Sequence, residues 1–75
     1  MKREMLVNFR GKRSQTEMAN IYGVSQQAWS KWERGENTPT LLTIKKLEND
    51  IGAPMEKIFF DLFEEIPKND ASANE

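Results

Sequence analysis

The chain has 75 residues, a net charge of −1, and neither cysteine nor histidine. This composition excludes disulfides, thiolate or imidazole metal sites, and cysteine or histidine catalysis, and a chain of this length makes one small domain. No apolar run approaches the ~20 residues of a membrane span, and the first residues lack the apolar core of a signal peptide. We therefore expect one cytoplasmic domain over residues 1–66, without metal, cofactor or membrane contact, and a disordered polar tail over residues 67–75.

The charges are unevenly distributed along the chain. Residues 1–37 carry seven Lys and Arg against four acidic side chains, a local charge of +3, whereas residues 38–75 carry four Lys against eight acidic side chains, a local charge of −4. Attraction to phosphate depends on the local field rather than on the total charge, so the first half is the candidate surface for a nucleic acid. A solvated surface with a random charge asymmetry is the alternative interpretation of this feature alone.

The apolar spacing predicts five helices and no strand, because apolar residues recur every three or four positions and do not alternate. Helix one covers about residues 2–10. Helix two begins at Ser14, which forms a capping-box pattern with Glu17, and it ends at Gly23, which can adopt the left-handed backbone of a sharp exit. The expected inner faces of these two helices consist of Met5, Leu6, Phe9, Met18, Ala19 and Tyr22.

Three further helices are predicted over about residues 25–34, 41–50 and 54–65. Ser25 and Thr40 are the expected caps of helices three and four, and Gly35 followed by Pro39 predicts the loop between them. The apolar residues expected to face inward from these three helices are Trp29, Trp32, Leu41, Ile44, Leu47, Ile51, Met55, Ile58, Phe59, Leu62 and Phe63.

Helix three also carries polar side chains that avoid the face of its two tryptophans. These are Gln26, Gln27, Ser30 and Lys31. The first turn of a helix held out by a tight turn can enter the major groove, where glutamine can bond adenine through N6 and N7 and lysine can donate to guanine. We predict that these four side chains contact bases. Simple solvation is the alternative, and Lys31 could reach a phosphate instead.

The spacing of the turn closely resembles the helix-turn-helix of the lambdoid-phage repressor and Cro family, also called the Xre family. The resemblance covers about residues 5–60 and rests on Gln15, Ala19, Gly23, Val24, Ser25, Trp32, Glu33, Gly35, Pro39, Leu41, Leu47 and Gly52. The stretch from Arg10 to Gln15 is about two residues shorter than in many members. The resemblance implies a compact five-helix repressor/Cro-like domain that binds double-stranded DNA, with the helix of about residues 25–34 as the recognition helix.

The resemblance also implies contacts with the DNA backbone and one structural ion pair. The implied phosphate contacts are Gln15, Ser25, Arg34, Asn37 and Thr38. The start of helix two favours an anion through its unpaired N–H groups, whereas Ser25 could be a helix cap and nothing more. Family members often pair an arginine of helix one with a glutamate of helix three, which implies a buried pair between Arg10 and Glu33. Two separate surface charges are the alternative.

Apolar residues beyond the minimal core predict a partner. Leu42 lies off the core stripe of helix four, and Phe60, Phe63 and Ile66 extend the last helix. We predict that these four form the two-fold interface of a homodimer, with recognition helices about 34 Å apart on an inverted repeat. Phe63 and Ile66 folding back onto the monomer is the alternative, and the C-terminal surface could also bind another protein.

These observations favour a sequence-specific transcriptional regulator of a prokaryote or phage, most simply a dimeric repressor. One alternative is an antitoxin, which would bind DNA and also cover a toxin with its C-terminal surface. Another is a helix-turn-helix used only for contact with proteins. An enzyme is disfavoured and no catalytic residue is expected, because the sequence has no phosphate-binding loop, metal cluster or nucleophile–base pair.

Overall fold

The computed structural model describes residues 2–64, and this segment contains six α-helices and no strand. In chain order the helices are α1 (Glu4–Arg10), α2 (Gln15–Tyr22), α3 (Gln26–Arg34), α4 (Leu41–Ile51), α5 (Met55–Ile58) and α6 (Phe60–Glu64). The predicted all-α fold is confirmed, with six helices in place of five. The predicted tail over residues 67–75 lies outside the described residues. None of the six helices in residues 2–64 has the length and apolar composition that a membrane span requires.

Polar caps and a glycine set the ends of α2 and the start of α3. Ser14 Oγ accepts a hydrogen bond from the N–H of Glu17 (3.0 Å), and the Glu17 carboxylate accepts one from the N–H of Ser14 (2.7 Å), which completes the capping box. Ser25 Oγ accepts from the N–H of Ala28 (3.1 Å). Gly23 ends α2 with a φ of 69°, a left-handed conformation that glycine adopts without steric cost. Local chemistry therefore determines the turn between α2 and α3.

The two tryptophans of α3 anchor that helix in the core. Trp29 is fully buried, and the centroid of its ring lies 5.6 Å from that of Tyr22 and 5.5 Å from that of Trp32, in stacked and tilted arrangements that aromatic rings favour. Tyr22 also donates from its hydroxyl to Asp50 (2.6 Å), which connects α2 to α4. The buried apolar residues of the described segment are Leu6, Met18, Ala19, Trp29, Trp32, Ile44, Leu47, Ile58 and Phe59.

The start of α4 differs from the prediction. The apolar stripe predicts that Leu41 is buried, but Leu41 is 66% exposed and the adjacent Leu42 is 84% exposed. Leu41 is the first residue of α4, directly after the cap Thr40, so it lies beyond the edge of the core, and burial begins at Ile44. The prediction for Leu41 is therefore wrong, and an apolar pair faces outward at this end of α4.

The sequence predicts one continuous helix over residues 54–65, but the structure has two short helices there. The chain bends at Phe59 (φ −113°, ψ 46°), where α5 ends and α6 follows. Phe59 is fully buried at the bend, whereas Leu62 and Phe63, both predicted to be buried, are exposed. The bend turns Asp61 inward, where one of its carboxylate oxygens lies 2.8 Å from Arg3 Nε. This buried ion pair is the physical reason that Asp61, rather than Leu62 or Phe63, is the residue of α6 that faces the core.

Candidate DNA-binding surface

Residues 23–25 connect α2 to α3 in a tight turn. The N–H of Val24 donates to the carbonyl of Ala19 (2.9 Å), which folds the chain back at the end of α2. Ala19 is buried, and its small side chain allows the two helices to approach closely at their crossing. The turn leaves Gln26 and Gln27, the first two residues of α3, exposed.

The Glu33 carboxylate is the centre of a hydrogen-bond cluster beneath this turn. Arg10 donates to both oxygens, at 2.6 Å from Nε and 3.2 Å from Nη2. The indole N–H of Trp29 donates at 2.6 Å and Gln15 Nε2 at 3.0 Å, so about four acceptor sites of the carboxylate are all used. Burial raises the pKa of Glu33, but the bonds from Arg10, Gln15 and Trp29 outweigh burial and hold the pKa below its ordinary value. Glu33 is therefore ionised at neutral pH.

The charge of Glu33 determines how two glutamine amides point. Because a carboxylate only accepts hydrogen bonds, Gln15 must turn its Nε2 toward Glu33, and its Oε1 then accepts from Gln26 Nε2 (2.7 Å). Gln26 keeps its Oε1 and one N–H, an acceptor beside a donor, at the exposed start of α3. This arrangement complements the N6 amino group and N7 of adenine.

The other predicted base contacts differ in exposure. Gln27 and Lys31 are exposed on α3, whereas Ser30 is buried and its Oγ accepts a hydrogen bond from Arg34 Nη1 (2.9 Å). Because its side chain is buried and its Oγ is engaged by Arg34, Ser30 does not project with the exposed amides. Ser30 is therefore not among the base contacts that we propose.

The end of α3 and the segment that follows it carry three of the predicted phosphate contacts. Arg34 is exposed and forms a bidentate pair with Glu36, with both N–O distances at 3.1 Å. The Oδ1 of the exposed Asn37 accepts from the N–H of Thr38 (2.9 Å), which leaves the Asn37 amino group as a donor. Thr38 is half-buried. Ser25, at the other end of α3, uses its Oγ as a cap and keeps its hydroxyl proton for donation.

Arg3 is a residue whose role the sequence does not reveal. In the sequence it is one more cation of the basic half, but its side chain is only 1% exposed and forms a bidentate pair with Asp61. It also donates to the carbonyls of Trp32 (3.0 Å) and Asn37 (2.8 Å). The hydrogen bonds from Arg3 hold the pKa of Asp61 below its ordinary value. No local pattern marks this pair, since 58 positions separate its members.

The basic half of the chain therefore exposes fewer unpaired cations than its composition suggests. Arg3, Arg10 and Arg34 are all paired with carboxylates. The cations of this half that are exposed and form no salt bridge within residues 2–64 are Lys2, Lys12, Arg13 and Lys31. A field from so few charges predicts weak non-specific attraction to DNA.

The residues predicted for a dimer interface lie on two elements. Leu42 is exposed at the start of α4, and on α6 Phe60 is half-buried and Phe63 is 38% exposed. Ile66 lies outside the described residues. The structure therefore leaves apolar surface on both α4 and α6.

The comparisons with known proteins agree with this geometry. A family model described as a helix-turn-helix matches residues 3–58, more than half of the chain, and the match ends with α5. No curated protein and no solved structure matches the chain significantly. Proteins of the matched family are DNA-binding regulators and not typically enzymes. The chain belongs to the Xre family of Cro-type helix-turn-helix proteins and is a DNA-binding regulator.

Proposed function

We propose that the protein regulates transcription by reading a specific sequence of double-stranded DNA with the first turn of α3 in the major groove. The observation that carries this proposal is the orientation of Gln26, whose remaining donor and acceptor complement an adenine edge. Gln27 and Lys31, exposed on the same helix, are the other base contacts we propose. The simplest role for so small a domain is repression by covering a promoter.

The backbone contacts that we propose lie on both sides of α3. At the start of α2, the first N–H groups of the helix and the remaining N–H of Gln15 favour a phosphate. Ser25 offers its hydroxyl proton at the start of α3. Arg34 is the last residue of α3, and Asn37 and Thr38 follow it, where an adjacent phosphate would lie.

We also propose that the protein binds DNA as a homodimer, through Leu42, Phe60, Phe63 and Ile66. The support is the exposure of Leu42 and Phe63, because large apolar side chains left on the surface can mark interaction sites. A two-fold dimer would place the recognition helices about 34 Å apart, so the operator would be an inverted repeat with half-sites about one helical turn apart.

The exposed pair Leu41 and Leu42 also supports a second candidate, an antitoxin that binds its toxin through this apolar surface. This candidate predicts a stable complex with a second protein in addition to operator binding. Co-expression with the product of a neighbouring gene, followed by size-exclusion chromatography, would test it. A hetero-complex that Leu42→Glu dissolves would favour the antitoxin, and a homodimer alone would favour the simple regulator.

Selection of bound duplexes from a randomised pool, at two salt concentrations, tests the main proposal. An enriched inverted repeat that persists at the higher salt concentration is the expected result, because base contacts do not depend on counterion release as phosphate contacts do. Binding without enrichment, lost at moderate salt, would contradict sequence reading and would favour a domain used for protein contact.

Substitution of Phe63 tests the dimer. We expect Phe63→Glu to produce a monomer in sedimentation with weakened operator binding, because a charge would enter an apolar interface. Ile21→Glu is the matched control, since Ile21 is also exposed but lies on α2, outside the proposed interface. An unchanged mass and affinity for the Phe63 variant would place this residue outside the interface.

A further inference from the structure

The Arg3 guanidinium uses all five of its N–H donors. Nε and Nη2 bind the two oxygens of Asp61 at 2.8 and 2.9 Å. Nη1 donates to the carbonyls of Trp32 (3.0 Å) and Asn37 (2.8 Å), and Nη2 also reaches Thr38 Oγ1 at 3.4 Å. One buried side chain therefore connects the end of α3, the loop that follows it, and α6.

Arg3 is itself held in place from two further directions. Its backbone N–H donates to the carbonyl of Glu33 (2.7 Å), and its guanidinium lies 4.8 Å from the centroid of the Phe59 ring, at the bend between α5 and α6. A planar guanidinium with this many partners has little freedom to reorient. A lysine in the same place could not bind all of these partners, because its ammonium group has only three donors on a flexible stem. The loop after α3 is thereby attached to a rigid part of the core.

The attachment leaves the donors of the loop available. Arg3 binds the Asn37 carbonyl, and Asn37 Oδ1 accepts from the N–H of Thr38, so the amino group of Asn37 remains as a donor. Thr38 Oγ1 accepts from Arg3, which leaves the hydroxyl proton of Thr38 for another acceptor. Both remaining donors suit a phosphate oxygen, and their placement depends on where Arg3 holds the loop.

We propose that Arg3 and Asp61 are positioning residues for DNA binding, which fix the Asn37–Thr38 loop against the DNA backbone and couple the docking of α6 to the affinity for DNA. The inference rests on the proposed function, because it assigns this loop to phosphate. Asp61 lies beyond residue 58, where the family match ends, so the coupling belongs to the C-terminal extension of this chain.

A purely structural pair would also lower stability when broken, so the test must measure something else. Asp61→Asn retains the shape of the side chain but places an amide N–H against an N–H of Arg3. The bidentate contact between the two side chains is thereby lost. In the full chain, well below its melting temperature, we expect affinity to fall roughly three- to tenfold on the operator and by a similar factor on random DNA, because a phosphate contact carries no sequence information. Discrimination against an operator altered at the Gln26 contact should stay unchanged.

Two further variants separate the interpretations. Tyr22→Phe removes a hydrogen bond between α2 and α4 and is the matched control, which should lower stability without changing the affinity for DNA. Asn37→Ala should lose affinity alone, and its combination with Asp61→Asn should lose less than the sum of the single effects, because both act through one contact. If Asp61→Asn does not fold, Arg3→Lys takes its place in the test, because it keeps the positive charge and removes the bidentate geometry of the guanidinium.

The outcomes distinguish the inference from the proposed function. A wild-type protein without sequence-specific binding would overturn the proposed function and this inference with it. A wild-type protein that binds its operator, with Asp61→Asn and Arg3→Lys changed in stability alone as Tyr22→Phe is, would overturn the inference and leave the proposed function standing. Additive effects of Asn37→Ala and Asp61→Asn would also overturn it.

Discussion

The molecule contains two buried arginine–carboxylate pairs with opposite arrangements. Between Arg10 and Glu33 the carboxylate is the more deeply buried group, with side-chain exposures of 24% and 5%, and it is the carboxylate whose acceptors are all used. Between Arg3 and Asp61 the arginine is the more deeply buried, at 1% against 10%, and all its donors are used. In each pair, the more deeply buried group has all its hydrogen-bonding positions filled. Glu33 thereby orients neighbouring side chains, and Arg3 holds neighbouring backbone carbonyls.

The two ion pairs support different parts of the surface that we propose to bind DNA. Glu33 acts outward through Gln15 to Gln26, and so determines the orientation of a side chain that we propose to read bases. Arg3 acts outward through the carbonyl of Asn37, and so determines the position of a loop that we propose to contact phosphates. Buried charge pairs are weak evidence for net stability, because desolvation offsets their attraction. Their value here lies in the geometry that they impose.

Removal of the arginines gives the largest expected effects. Arg3→Ala leaves Asp61 buried without its partner and should lower the free energy of unfolding by about 3–5 kcal/mol. Arg10→Ala should cost less, about 1.5–3 kcal/mol, because water can reach the site and Gln15 and Trp29 still donate to the carboxylate. Urea unfolding followed by tryptophan fluorescence would measure both. Equal losses would show that the two pairs do not differ in the way their burial suggests.

Substitution of Gln26, which Glu33 orients through Gln15, and of Asn37, which Arg3 holds in place, should affect DNA binding differently. We expect Gln26→Ala to cost roughly 1–3 kcal/mol on the selected operator and little on random DNA, because the lost contact is to a base. Asn37→Ala should instead weaken binding to both by a similar factor, because a contact to the DNA backbone carries no sequence information. Titrations with fluorescent duplexes at several salt concentrations would measure this. Equal losses on both duplexes for Gln26→Ala would make Gln26 a backbone contact.

Acidification should weaken both pairs in the same direction. The pKa values of Glu33 and Asp61 are lowered in the folded protein, so each carboxylate contributes stability that is present above its ordinary pKa of about 4. That contribution is lost as the pH falls through the lower pKa of the folded state. We expect the urea midpoint to fall as the pH is lowered from about 5 to about 2, and Glu33→Gln and Asp61→Asn each to flatten this dependence. A midpoint independent of pH would contradict the assignment of both carboxylates.

The exposed pair of Arg34 and Glu36 should show the smallest effect on stability. Their side chains are 51% and 54% exposed, and a surface pair of this kind contributes about 0–1 kcal/mol. Glu36→Gln should therefore change unfolding little, but it should strengthen DNA binding, because Arg34 would no longer be drawn to a carboxylate. Parallel unfolding and titration experiments would show this. Weaker binding by the Glu36 variant would mean that the pair presents Arg34 in its binding position.

The local features of the fold are those that the sequence allows one to predict. The capping box of Ser14 and Glu17, the left-handed turn at Gly23 and the cap at Ser25 all form between residues at most three positions apart or within one residue. The same holds for the two exposed amides that open α3. Such features depend on backbone geometry and side-chain chemistry over one turn of helix, so the identity of the residues is enough.

The features that the sequence did not reveal depend on residues far apart in the chain. The break at Phe59 and the inward turn of Asp61 arise because Arg3, 58 positions earlier, lies buried at that point. Leu41 has the spacing of a core residue, but only the extent of the packed core shows that α4 begins outside it. By itself the sequence determined α1 to α4, the polar caps of α2, α3 and α4, and the two glutamines that open α3. Tertiary packing decided which charges are buried and which apolar residues stay exposed, because burial depends on neighbours that no local pattern contains.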